Sequence, residues 1–92
     1  MAAEVIAGAI PRPGQLVYLG REASPEFTAN PFRLLLTAPV QASSVDLAAG
    51  RSVDDAAWLL LTGWELDERQ RRRLLRTVSA RRMGLIIVVG PR

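Results

Sequence analysis

The chain has no cysteine, no histidine and no lysine. Without cysteine there is no thiol nucleophile, no disulfide and no thiolate metal site. Without histidine there is no imidazole base, and without lysine no Schiff base, so the serines lack a partner to activate them. The seven glycines are dispersed, and neither Gly-x-Gly-x-x-Gly nor Gly-Lys-Ser/Thr occurs to cradle a phosphate. Aromatic residues are only 5% of the 92, which leaves little material for a stacking platform. The adjacent carboxylates Asp54-Asp55 and Asp67-Glu68 would point to opposite faces of a strand, so neither pair is a natural two-carboxylate site. Glu65 and Asp67 share a face as i and i+2, but caps, turns and ion pairs use that spacing far more often than Mg²⁺ does. These absences point away from catalysis and predict no metal, no cofactor and no small-molecule substrate.

Long apolar runs are missing too. Trp58–Leu61 and Leu85–Val89 fall far short of the roughly 20 residues a membrane span requires. The first ten residues lack a basic region and include Glu4, which makes a poor signal peptide. The expectation is a cytoplasmic chain that does not enter a membrane.

Apolar residues nonetheless make up 49% of the chain. A chain this short buries only about 60–65% of its unfolded surface, so part of that apolar content is expected to meet a protein partner or a second copy. All 12 basic residues are arginine, and they are segregated. Residues 1–68 hold four arginines against nine acids, a net of −5; residues 69–92 hold eight arginines and no acid. The overall +3 is the residue of that polarity. A basic terminal segment either neutralises the acidic part of its own fold or binds a polyanion.

Along the chain, residues 1–10 read as a flexible arm and 11–90 as one domain. Pro11-Arg12-Pro13-Gly14 is a turn. Gln15–Leu19 reads as a strand, ended by Gly20. Phe32–Thr37 reads as a second, with Phe32, Leu34 and Leu36 on one face and Arg33, Leu35 and Thr37 on the other. Residues 40–55 are small and polar, the place for a loop or an insertion. Leu85–Val89 is a strand between two glycines.

Two local readings compete for the stretch between. In the helical one, Ser52 caps a helix near 53–62 and Asp67 opens a second near 67–83, stopped by Gly84. In the extended one, Trp58, Leu60, Thr62, Trp64 and Leu66 alternate on one sheet face. A return arm follows in which Leu74, Arg76, Val78 and Ala80 alternate against Leu75, Thr77 and Ser79. Gly63 would then mark a bulge or a close approach. The turn between the arms has no Asn-Gly or Asp-Gly pair. Period and capping leave the two readings level.

A resemblance separates them. The run Arg12–Phe27 (Arg-Pro-Gly-Gln-Leu-Val-Tyr-Leu-Gly-Arg-Glu-Ala-Ser-Pro-Glu-Phe) with Asn30–Leu34 resembles the opening of a group of short actinobacterial proteins. Trp58, Leu61–Asp67 (Leu-Thr-Gly-Trp-Glu-Leu-Asp) and Arg81–Leu85 resemble their later segments. The likeness covers residues 11–37 and 57–88. It implies an all-β fold, a small, strongly bent, SH3-like β-barrel of about five strands, against the α+β alternative. It implies no catalytic residue. The group usually carries a glycine in the turn after Asp67, and this chain does not.

The remaining functional signal is the arginine segment 69–82. Arg71, Arg72, Arg73, Arg76, Arg81 and Arg82 are bidentate donors suited to carboxylate or phosphate. The sequence therefore predicts a non-enzymatic interaction or assembly module, self-associating or binding a protein partner. The alternative is a nucleic-acid-binding accessory protein that uses those arginines.

Overall fold

Alternating apolar residues at 16–19, 32–36 and 58–66 should fold as strands with one buried face, and they do. The computed structural model describes residues 9–88, so the arm expected at 1–10 lies outside the described residues but for its last two positions. Among the described residues six strands form: β1 (Leu16–Leu19), β2 (Phe32–Leu36), β3 (Gln41–Ala42), β4 (Trp58–Leu66), β5 (Arg72–Arg81) and β6 (Ile86–Val88). One short helix, α1, spans Ser44–Ala48, and 3-10 turns lie at Pro25–Phe27, Val53–Asp55 and Arg82–Gly84. Among the described residues no helix is long and apolar enough to cross a membrane.

All pairings are antiparallel within one sheet, in the order β6, β1, β2, β4, β5, with β3 beside the first part of β4 on the β2 side. The expected all-β fold is present, with six strands rather than about five. The sheet folds over its own buried face, but the expected SH3-like barrel is not closed: among the described residues no ladder joins β5 to β6. The end of β5 is drawn to the loop after β1, where the Arg81 amide donates to the Ala23 carbonyl at 2.7 Å. Gly84 lies against the same loop: a Cβ there would stand 2.7 Å from the Ala23 nitrogen.

The helices expected at 53–62 and 67–83 on the α+β alternative do not form; Val53–Asp55 and Arg82–Gly84 make single 3-10 turns, and most of the two stretches is strand. The reason is the period of two in β4, where Leu59, Leu61, Gly63 and Glu65 are buried while their neighbours are half-buried. Asp67 holds a hairpin turn instead of capping a helix. Its carboxylate accepts from the amides of Arg69 and Arg71 at 2.8 and 2.9 Å and from Arg71 Nε at 3.0 Å. The Gln70 amide donates to the Asp67 carbonyl at 2.9 Å, and Gln70 takes the left-handed conformation, φ 64°. This is a tight hairpin turn closed by a left-handed residue, the position at which glycine is favoured. Gly63 proves to be a close approach: a Cβ would sit 2.7 Å from the Leu35 carbonyl carbon and 2.9 Å from Leu36 Cα. The bulge lies further along, at Glu65/Leu66, where Glu65 pairs with Leu74 and Leu66 with Arg72. Arg73 is the extra residue.

The core lies on the concave face. Val17, Leu19, Leu34, Leu36, Leu59, Leu61, Val78 and Ala80 are buried there, with Phe27 and Leu85 closing the ends. The stretch expected to be a loop or insertion, 40–55, is ordered by one buried carboxylate. Ser43 caps α1, and Asp46, 2% exposed, accepts from Ser43 Oγ at 2.7 Å, the Trp58 amide at 3.1 Å, the Ala57 amide at 3.3 Å and Arg51 Nη1 at 3.1 Å. Every bond favours the ionised form, the Ser43 hydroxyl most, and the Asp46 pKa falls from 3.8 to about 2. Asp46 thus ties the connection to the start of β4.

Candidate interaction surface

The six arginines singled out from the sequence do not form one patch. Three line a broad groove of about 990 Å³ between the β1–β2 loop and the β4–β5 hairpin. There Arg71 pairs with Asp67, while Arg73 and Arg76 converge on Glu65 at 3.0 and 2.7 Å. Glu65 is only 6% exposed, and the bulge explains how two arginines reach it: the extra residue turns Arg73 toward the face that Arg76 already occupies. Arg76 also lies 4.7 Å over the ring of Phe32, which meets Phe27 edge-on at 5.1 Å. Backbone amides and the Arg71 guanidinium hold the Asp67 carboxyl below its ordinary range, the Arg71 amide most of all. The charge of these three arginines is spent on the chain's own acids. Glu65 and Asp67, although i and i+2, serve separate arginines.

Two others lie on the convex face. Arg72 sits 5.6 Å over the Trp64 ring and Arg81 5.4 Å over Trp58. Arg82 is elsewhere again: its amide donates to the Ala57 carbonyl and its guanidinium to the Asp54 carbonyl.

The convex face itself is apolar. The strand registers place Val88, Leu16, Leu35, Trp64 and Leu75 side by side in one row across five strands. The next row reads Ile86, Tyr18, Arg33, Leu66, Arg72. The first four members of the apolar row are half-buried, and Leu75 is 53% exposed. Along β4 the same face carries Trp58, Leu60 and Thr62, with Thr62 bonded to Thr77 at 2.9 Å. None of the paired positions on this face is Asp or Glu.

Alternation in the sequence had already placed both tryptophans on one face. It did not say that this face is the convex one. Two structural residues escaped sequence reading. Asp46 was visible as the last member of Ser43-Ser44-Val45-Asp46, a Ser-x-x-Asp capping pattern. The Arg73 bulge has no local signature. No family model, curated protein or solved structure matches this chain.

Proposed function

We propose that this protein is a non-enzymatic interaction or assembly module that binds another protein, or a second copy of itself, through the convex face of its sheet. The observation that carries this reading is the apolar row Val88, Leu16, Leu35, Trp64 and Leu75, which crosses the sheet on the side away from the core and stays partly exposed. A contiguous apolar strip on a sheet face, rimmed by arginine and aromatic residues, has the composition of a protein contact. The chemistry available to the chain agrees: it has no imidazole, thiol or amine base, and its groove carboxylates Glu65 and Asp67 hold arginines.

Light scattering over a concentration series, with affinity purification from the native host, tests the reading. Wild-type chain should self-associate or recover a partner. Leu35→Lys and Leu75→Lys, checked for folding by circular dichroism, should lose it. A wild-type monomer that recovers nothing the variants lose would retire the proposal.

A second reading, nucleic-acid binding through 69–82, draws on the two arginine–tryptophan pairs of the convex face. We place it second because the six arginines are divided among three sites and the groove arginines face acids of their own chain. It requires a steep fall of affinity with salt on single-stranded oligonucleotides.

A further inference from the structure

We infer that the open edge of β5 is a strand-addition site for an extended, acidic segment of a partner protein. This names the partner class for the interaction module and rests on that reading.

Among the described residues β5 pairs with β4 alone. The Trp58 and Thr62 carbonyls accept from Ser43 and Thr37, on the β2–β3 side of β4. The odd-numbered residues of β4 therefore carry its bonds to β5. The Arg82 amide donates to Ala57, toward β4, while the Arg81 amide donates to Ala23, away from it. Alternation then turns the N–H and C=O groups of Ser79, Thr77 and Leu75 outward. Among the described residues no backbone group bonds to them. Leu74 and Leu75, 42% and 53% exposed, stand at this edge.

An edge of this length is a template for another strand, and proteins guard such edges with bulges and charge. β5 carries both, in the Arg73 bulge and in Arg72, Arg73, Arg76 and Arg81. That guard is of one sign. It sets arginine-rich edges against each other when two copies meet, and it favours a strand bearing carboxylates. Arg73 and Arg76 are engaged by Glu65, but Arg72 and Arg81 lie over tryptophan rings and, among the described residues, form no ion pair with a carboxylate. They flank the open stretch and would meet the partner's acids.

The registers also give the partner's pattern. An antiparallel strand would place an acid near Arg81, β-branched residues opposite Ser79 and Thr77, an apolar residue beside Leu75 that prolongs the convex row, and an acid near Arg72. Main-chain bonds would supply affinity and the alternate side chains specificity.

The probe is a capped peptide, Glu-Thr-Thr-Val-Val-Glu-Val-Thr-Glu, titrated into the full chain with backbone amides followed by NMR. The amides of Leu75, Thr77 and Ser79 should shift and gain exchange protection. The same peptide with lysine for every glutamate should bind about tenfold more weakly or less, as expected for the loss of several partly exposed charge pairs. N-methylation of its protein-facing amides should abolish binding. Thr77→Pro, which removes one outward N–H and, of the bonds to β4, only that between the Thr77 and Thr62 hydroxyls, should weaken binding in a chain that keeps its sheet spectrum, whereas Thr77→Val, which loses the same hydroxyl bond, should not.

Equal binding of the lysine peptide overturns the acidic preference. Equal binding of the N-methylated peptide overturns strand addition. Protection of these amides that appears on raising protein concentration alone makes a second copy the occupant and overturns the inference. A single-stranded oligonucleotide that displaces the peptide from these amides, and binds them more tightly, does so in favour of a polyanion. If no peptide binds while Leu35→Lys still abolishes association, the edge site fails and the interaction module stands.

Discussion

A methyl group at position 63 has no room. Gly63 pairs with Leu36 across the β2–β4 ladder, and an alanine Cβ would come within 2.7 Å of the Leu35 carbonyl carbon and 2.9 Å of Leu36 Cα. Ordinary carbon contacts lie at about 3.5–4.0 Å, so the two backbones would have to part by roughly 1 Å. No rotamer relieves this, because the opposing atoms are main chain. Parting them disturbs Leu34 and Leu36, both buried in the core. Overpacking of this kind costs about 3 kcal/mol. The lower unfolded-state entropy of alanine returns about 0.4–1 kcal/mol. A net loss of about 2–3 kcal/mol corresponds to a melting point roughly 10–20 °C lower for a domain of this size. Thermal unfolding followed by tryptophan fluorescence measures it. Gly20→Ala is the control, since its Cβ would meet only the movable Tyr18 ring, at 3.0 Å, and should cost less than about 1 kcal/mol. If Gly63→Ala melts within a few degrees of wild type, β2 and β4 are not as close at this position as described.

Gln70→Gly should stabilise the chain by about 1 kcal/mol in urea unfolding, because it relieves a left-handed residue (φ 64°) that glycine adopts freely. Glu65→Leu should be close to neutral, within about 1 kcal/mol, since Arg73 and Arg76 can turn to water. Replacing both arginines by methionine should cost about 1–3 kcal/mol, because it strands a buried carboxylate. Equal losses in these two variants would refute the clamp. Asp46, depressed to about 2 from 3.8, contributes stability that is complete above about pH 4 and is lost as pH falls through about 2. The urea midpoint should therefore drop below pH 4, and Asp46→Asn should flatten that drop; an unchanged profile would show that this carboxylate is not the acid-sensitive group.

Much of the sheet was legible because burial imposes a period of two. Leu34 and Leu36 inward with Arg33 and Leu35 outward follow from alternation alone, as does the shared face of Trp58 and Trp64. The β4–β5 hairpin was not separable from two helices on local grounds. Its decisive feature, the Asp67 carboxylate bonded to two amides across the turn, can be drawn equally well as a helix cap. The candidate surface was less legible than the fold. Six arginines near one another in sequence part company because alternate residues of β5 face opposite sides, and because one bulge reverses Arg73. Nothing local in the sequence reveals that Glu65 draws two of them inward.

The pairing of β1 with β6 sets a timetable for making the protein. Val17 finds Ile87, its partner across the ladder, only after some 70 further residues have been added, an interval of roughly 4–14 s at ordinary rates of synthesis. Until then β1 can pair with β2 alone, and the convex row ends at Leu16. The β4–β5 hairpin closes over a short turn and is available earlier. β6 is made after the other five described strands and covers the first of them, so β1 keeps a bare edge until residues 86–88 arrive.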